Sequence, residues 1–313
     1  MPHSSSERPI MTTAGTHIEP AQMGQLQGWR VRTPHGSALV ARQGAQLLSY
    51  APAGGRPLVW LSEQAHLAPG KPVRGGIPVC WPWFAVYARN PQAVRDSVAA
   101  PPGAGSHGWV RQADWQLVEQ HAGTDAADLA FEFTALPGHA PGWRHHAQLH
   151  LRMRFGQEIS LVLSVRNLGA QAFTTALALH TYLAISDSRR IEIHGLHARD
   201  YLDMAHDWTR HRQAGPITLD GETDRMYLDT SAPVTVRDPG WRRTVRVQAR
   251  GSHTTVVWNP GTAKAARLDD FADDAWQRMV CVETARALDD ALAVAPGAAA
   301  EVALALSVQP YTA

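Results

Sequence analysis

Lysine is almost missing from this chain. Of 29 basic residues only Lys71 and Lys264 are lysines, and 28 acidic residues leave a net charge of +1 over 313 residues. A balance this close to zero provides no global field for nucleic acid or anionic lipid, and both are excluded as expected partners. The positive charge that exists is nearly all arginine, the side chain suited to bidentate contact with phosphate or carboxylate. Cysteine is equally scarce. Cys80 and Cys281 lie in the apolar runs IPVCWPWF and RMVCVETA, with no CxxC and no Cys/His zinc spacing, so neither a disulfide framework nor a structural metal is expected. No uninterrupted apolar run reaches the roughly 18 residues of a membrane helix. The opening MPHSSSERPIMTTAGTHIEP lacks a basic segment followed by an apolar one, so no secretory signal is read and a cytoplasmic protein is expected. GxxxxGK[ST], a strand-bound GxGxxG, HExxH and GxSxG are all absent, which removes the common nucleotide, zinc-protease and serine-hydrolase signatures. Long amphipathic helices are lacking too, and Asp270–Gln277 is the one short helix predicted.

What fills the chain is period-two alternation. From His146 to Val165, Ala147, Leu149, Leu151, Met153 and Phe155 alternate with polar residues, Gly156-Gln157 interrupts, and Ile159, Leu161, Leu163 and Val165 resume. Two such runs around a glycine-containing break predict a β-hairpin. Val302, Leu304, Leu306 and Val308 repeat the pattern, and shorter strands are predicted at Trp29–Thr33, Ala45–Tyr50, Trp115–Gln120, Leu129–Thr134, Val234–Arg237, Thr244–Arg250, Thr254–Trp258 and Arg278–Glu283. Turn chemistry separates them, as at Asp238-Pro239-Gly240. Many short strands at regular spacing indicate an all-β protein, an antiparallel sandwich or barrel. Residues 1–24, polar and without periodicity, are read as a flexible leader, and 25–313 as one domain.

Three segments break the local rules. In Arg74-Gly75-Gly76-Ile77-Pro78-Val79-Cys80-Trp81-Pro82-Trp83-Phe84 two prolines point to a sheet edge or irregular wall, and the paired glycines allow backbone that other residues resist. Ser106-His107-Gly108-Trp109-Val110-Arg111 leaves a Pro/Gly loop. His180 interrupts the apolar run Leu177–Ala184, and Glu283 closes Met279-Val280-Cys281-Val282. A buried imidazole or carboxylate is costly unless it is paired or used. His145, His146 and His150 suggest a metal cluster at first, but neighbouring strand residues point to opposite faces, and no metal site is assigned there.

Taken in order, Leu58–Ser62, Arg74–Phe84, His107–Arg111, Ala178–Ala184 (ALHTYLA), Ile193–Leu196, Val256–Pro260 and Met279–Ala285 (MVCVETA) resemble the aldose 1-epimerase superfamily, and within it the glucose-6-phosphate 1-epimerases. The resemblance implies a galactose mutarotase-like β-sandwich with neither metal nor organic cofactor. It implies a catalytic pair, His180 and Glu283, and a substrate-binding set of Arg74, His107, Arg111 and Asp224, with Arg111 toward a sugar phosphate. The implied partner is a small sugar phosphate, and a monomer is expected. The sequence departs from the family pattern at Ala85-Val86-Tyr87, at Trp109-Val110 and at Gly261, all bordering the implied pocket.

That pair suits the implied reaction. Exchanging aldose anomers opens the ring: a base takes the C1 hydroxyl proton, an acid protonates the ring oxygen, rotation about C1–C2 exposes the other carbonyl face, and the steps reverse. A carboxylate and an imidazole suffice. With Glu283 as base and His180 as acid, the neighbouring carboxylate is expected to raise the histidine's proton affinity, with His107 as a fixed donor toward developing charge. Trp81, Trp83, Trp109 and Trp258 fall in or beside the motifs as candidate flat surfaces for a sugar. A neutral-aldose mutarotase and a non-catalytic carbohydrate-binding or sensing sandwich are the alternatives; only the enzymes need both proton-transfer groups.

Overall fold

The alternation at 147–165 folds as predicted. Ala147–Phe155 and Ile159–Asn167 pair antiparallel from Ala147↔Asn167 to Phe155↔Ile159. Leu149, Leu151, Met153, Phe155, Ile159, Leu161, Leu163 and Val165 all point inward and are at most 1 % exposed. Each such burial contributes roughly 1.5–3 kcal/mol. The coordinates, a computed structural model, describe residues 15–311. Around this hairpin grows an eight-stranded antiparallel sheet, in the order Glu192–His194, Val234–Asp238, Arg243–Arg250, Ala299–Pro310, Ile159–Asn167, Ala147–Phe155, Ala127–Ala135, Gln116–Ala122. This is the frame sheet.

A second eight-stranded sheet, the site sheet, runs Thr209–Arg212, Asp200–Asp203, Thr223–Leu228, Thr254–Asn259, Met279–Arg286, Leu177–Leu179, Val79–Cys80, with Tyr182–Ala184 also paired to Met279–Arg286. Its inward residues, among them Leu177, Leu179, Tyr227, Val257, Val280 and Val282, share one core with the frame sheet. The fold is therefore an antiparallel β-sandwich. A four-stranded meander, His17–Met23 to Leu47–Pro52, joins the site sheet through the bridges Leu47↔Ile77, Tyr50↔Val59 and Val59↔Leu183. Among the described residues no helix is long and apolar enough to cross a membrane.

Two expectations need correction. Part of the expected leader is a strand: His17–Met23 pairs with Leu26–Thr33 along its whole length, from His17↔Arg32 to Met23↔Leu26. It is an edge strand with Pro20 inside it and only Met23 buried, so it carries no apolar alternation to read. The rest of that leader, residues 1–14, lies outside the described residues. The predicted helix Asp270–Gln277 is a loop ending in a 3₁₀ turn, Ala275–Arg278. Tertiary ties hold it open: the Asp270 carbonyl accepts from Ser62 Oγ (2.7 Å), its carboxylate from Arg74 Nε (3.1 Å), and Asn259 Nδ2 reaches the carbonyls of Trp276 and Met279 (2.8 Å each). The α-helices that do form, Gln92–Val98 and Gly261–Ala265, are too short for periodicity to reveal.

Candidate active site

Alternation decides which side chains leave the core. Along Met279–Arg286, Val280 and Val282 enter the sandwich, so Cys281 and Glu283 point to the other face. His180 lies in the break between Leu177–Leu179 and Tyr182–Ala184, both paired to the Glu283 strand. Leu179 opposes Thr284 and Tyr182 opposes Cys281, which sets His180 across from Glu283. The register thus joins residues far apart in sequence. His180 Nε2 lies 3.4 Å from Glu283 Oε1, with only 9 % and 2 % of the two side chains exposed. The imidazole stacks on Tyr182, ring centroids 4.8 Å apart and planes 9° from parallel.

The glycine-rich segments act by close approach. Gly76 takes φ +70°, and a Cβ there would sit 2.3 Å from the Leu47 carbonyl oxygen. Its N–H donates to the Trp60 carbonyl and the Arg74 carbonyl accepts from Ser62 N–H, which fixes the arginine's root. The two-residue strand Val79–Cys80 is the sheet edge that the prolines predict. Gly108 takes φ +65°, and a Cβ there would lie 1.9 Å from the Trp81 carbonyl oxygen. Trp109 N–H donates to that same carbonyl and His107 N–H to the Ala85 carbonyl, so the two segments lock together. The His107 ring then packs against that of His180, centroids 5.2 Å apart.

One cleft of about 360 Å³ is lined by Arg74, His107, Arg111, His180, Asp224 and Glu283, the six residues singled out from the sequence. Asp224 comes from Thr223–Leu228, opposite Trp258. Arg74 is held by Asp270 and by Tyr182, whose hydroxyl accepts from its Nη1 at 3.4 Å. Arg111 donates from Nη2 to the Ser106 carbonyl (3.0 Å), while its Nε is buried without a partner. Glu283 Oε2 and His180 Nδ1 are buried without partners as well. Unsatisfied groups converging on one cavity mark a place prepared for a polar ligand.

Sequence reasoning missed Lys264, Trp208, Met204 and Leu268, which also line the cleft. Lys264 Nζ sits 2.6 Å from Glu222 Oε1, and its rarity as one of two lysines was its only signal. Of the four tryptophans considered, Trp258 lines the cleft. Trp81 is core, edge-on to Trp109 and Trp143, and Trp83 is buried with its Nε1–H on the Gly105 carbonyl. His145 packs against Trp143 and Phe173 and contacts the Ser97 carbonyl, a structural role.

Electrostatics depart from expectation at His180. Burial, with the nearby His107, Arg111 and Arg74, pushes its imidazole well below the usual histidine range instead of raising it. Burial and then Asp224 push the Glu283 carboxyl well above the usual carboxylate range. Both shifts act in the same sense and favour a protonated carboxyl beside a neutral imidazole. Burial with Arg111 and Arg74 likewise lowers His107 to about 3, so that ring is a neutral hydrogen-bonding group. Burial brings Asp224 up to about 7, with Glu222 and Asp203 adding to the rise and Lys264 opposing it.

The family model of aldose 1-epimerase matches residues 28–307. A protein of Escherichia coli (strain K12), named as a candidate glucose-6-phosphate 1-epimerase, is 31 % identical over 280 residues, 89 % of this chain and 90 % of that protein. A protein of Cenchrus ciliaris with the same name is 29 % identical over 302 residues, 90 % of this chain and 87 % of its own. Among solved structures, a candidate mutarotase of Salmonella typhimurium superposes with a TM-score of 0.84 at 28 % identity, over 96 % of this chain and 95 % of that one. Galactose 1-epimerase of Lactobacillus acidophilus NCFM has the same fold, with a TM-score of 0.74 at 11 % identity over 96 % and 100 %.

Proposed function

The chain belongs to the aldose 1-epimerase family and is an isomerase that interconverts aldose anomers, and on that premise we propose that its aldose is a hexose 6-phosphate, D-glucose 6-phosphate first, and that His180 and Glu283 move the protons. The observation that carries this reading is the buried pair at 3.4 Å with two arginines beside it. Arg111, with its free buried Nε, is the phosphate ligand. Arg74 and His107 hold the sugar, and Asp224 accepts from one of its hydroxyls. We further propose that the enzyme acts in the cytoplasm, and as a monomer, because the cleft is lined by all six residues without a second copy.

The proton positions follow one cycle. Opening a cyclic anomer needs ionised Glu283 to take the C1 hydroxyl proton while protonated His180 gives one to the ring oxygen. That leaves Glu283 protonated and His180 neutral, the arrangement burial favours. Rotation about C1–C2 follows, and closure runs the transfers backward: His180 takes the O5 proton and Glu283 returns one to the carbonyl oxygen. Entry of the cyclic sugar therefore requires one proton to pass from carboxyl to imidazole. Burial opposes that passage by lowering His180, and His107, Arg111 and Arg74 add to it. A phosphate dianion on Arg111 offsets their field, so the substrate's own charge prepares the acid. General acid–base catalysis of this kind is worth about 10²–10⁴-fold.

Crystalline α-glucose 6-phosphate, dissolved and followed by NMR toward anomeric equilibrium, tests the reading. The expected result is a faster approach with enzyme than without, and a smaller gain with α-glucose or α-galactose. A gain with the neutral sugars alone makes the protein a neutral-aldose mutarotase; no gain with any aldose overturns the reading.

A further inference from the structure

Cys281 has no part in that cycle, yet it stands two residues before Glu283 on the same strand and the same face. The ligand atoms of His180, Cys281 and Glu283 all lie within 4.8 Å of one another. The three residues are 7 %, 0 % and 2 % exposed. Among the described residues no other His, Cys, Asp and Glu side chains gather this way. We propose that these three side chains form a site for a thiophilic divalent cation, with Zn²⁺ as its type ligand, and that the bound ion switches the enzyme off.

The donor set selects the ion. One sulfur, one imidazole nitrogen and one carboxylate oxygen suit Zn²⁺, whereas Mg²⁺ and Ca²⁺ take oxygen shells. Bond lengths of about 2.3 Å to sulfur and about 2.0–2.2 Å to nitrogen and oxygen put tetrahedral donors roughly 3.3–3.7 Å apart. Side-chain shifts of about an ångström close the present cluster to that spacing. His180 and Glu283 line the cleft, from which a water or a sugar oxygen would supply the fourth ligand.

Charge fits as well. Zn²⁺ binds sulfur and carboxyl in their deprotonated forms, so the Cys281 thiol proton leaves for solvent on binding, and thiolate, carboxylate and neutral imidazole surround a doubly charged ion. The buried site then carries no net charge, which two anions without the ion cannot achieve. The ion occupies the imidazole lone pair and the carboxylate that ring opening requires. The loss of turnover therefore rests on the proposed roles of His180 and Glu283; metal binding itself does not.

The test uses tag-free full-length protein stripped with chelator. ZnCl₂ is titrated calorimetrically in two buffers of different ionisation enthalpy, CoCl₂ is titrated with an absorption readout, and anomerisation of α-glucose 6-phosphate is followed at each Zn²⁺ level. The expected results are one Zn²⁺ per chain with proton release, a thiolate-to-cobalt charge-transfer band, and turnover lost with Zn²⁺ and restored by EDTA. MgCl₂ is expected to do nothing. Cys281→Ala is expected to bind Zn²⁺ more than about tenfold more weakly and to turn over at Zn²⁺ levels that stop the wild type. No stoichiometric uptake, no charge-transfer band, or equal Zn²⁺ affinity in Cys281→Ala overturns the site; the cobalt band of the unmodified protein decides even if that variant does not fold. Zn²⁺ bound through Cys281 with turnover intact keeps the site and overturns both the switch and the catalytic roles.

Discussion

The two large sheets bury the same core and do opposite things with their outer faces. The frame sheet has a centre of long, regularly paired strands from Ala127–Ala135 to Arg243–Arg250, and its outer face holds a cleft of about 470 Å³, larger than the site's. That cleft is lined by residues such as Ser160, Val162, Arg246 and Ala303, and none of its charged side chains is buried. The site sheet is broken at His180, ends in a two-residue edge strand, and buries Glu283 and His180 with unpartnered atoms. Volume does not separate the two faces. What separates them is polar groups held out of water in fixed positions, and those need a partner that arrives from outside. The frame supplies the rigidity that lets the site sheet carry that burden.

Four substitutions probe this division, ordered by their effect on turnover. Gly108→Ala drives a methyl into the Trp81 carbonyl at a backbone conformation alanine resists, displacing His107 and Arg111. An ångström of misplacement is expected to lower kcat/KM about 10²-fold, read by anomerisation kinetics, with folded protein still present by circular dichroism. Arg111→Met is expected to raise KM for glucose 6-phosphate about tenfold or more and leave glucose nearly unchanged, since a lost charge-assisted contact is worth ~1.5–3 kcal/mol. Equal losses on both sugars would place the phosphate elsewhere.

Asp224 brings pH into the comparison. Burial brings its carboxyl up to about 7, and in its proposed role it accepts a sugar hydroxyl best when ionised, so KM is expected to rise a few-fold as pH falls through that value. Asp224→Asn should flatten the profile. Because folding raises this group, the folded state binds the proton more tightly than the unfolded one, and its contribution to stability is lost as pH rises through about 7. The Asn variant should therefore show a smaller fall in Tm between acid and neutral pH. In the frame, Leu161→Ala is expected to cost about 2–5 kcal/mol in denaturant titration while turnover per folded molecule stays the same. A comparable loss of turnover would show that the frame does more than support.

Legibility in the sequence followed the same division. The middle of the frame sheet was readable because its strands have one face in the core, so Ala147–Phe155 and Ala299–Pro310 show period two. His17–Met23 was invisible because it buries almost nothing. In the site, Glu283 and His180 stood out as charges inside apolar runs, but that they face each other depends on the Leu179↔Thr284 register, which no local pattern encodes. The fall in His180's proton affinity was missed for a related reason: burial causes most of it, and His107, Arg111 and Arg74, which add to it, come from the segments around Gly108 and Gly76. Lys264 lies on the five-residue helix Gly261–Ala265 and Trp208 on a turn, both too short to show periodicity, and only folding brings them to the cleft.

A double-mutant cycle on the pair tests the central claim most directly. His180→Asn, Glu283→Gln and the double variant are compared with wild type in anomerisation of α-glucose 6-phosphate, with folding checked in each. If the two residues run one proton cycle, each single variant falls by about 10²–10⁴-fold and the double falls no further. Single losses that multiply in the double variant, or a single variant with wild-type turnover, would contradict the account.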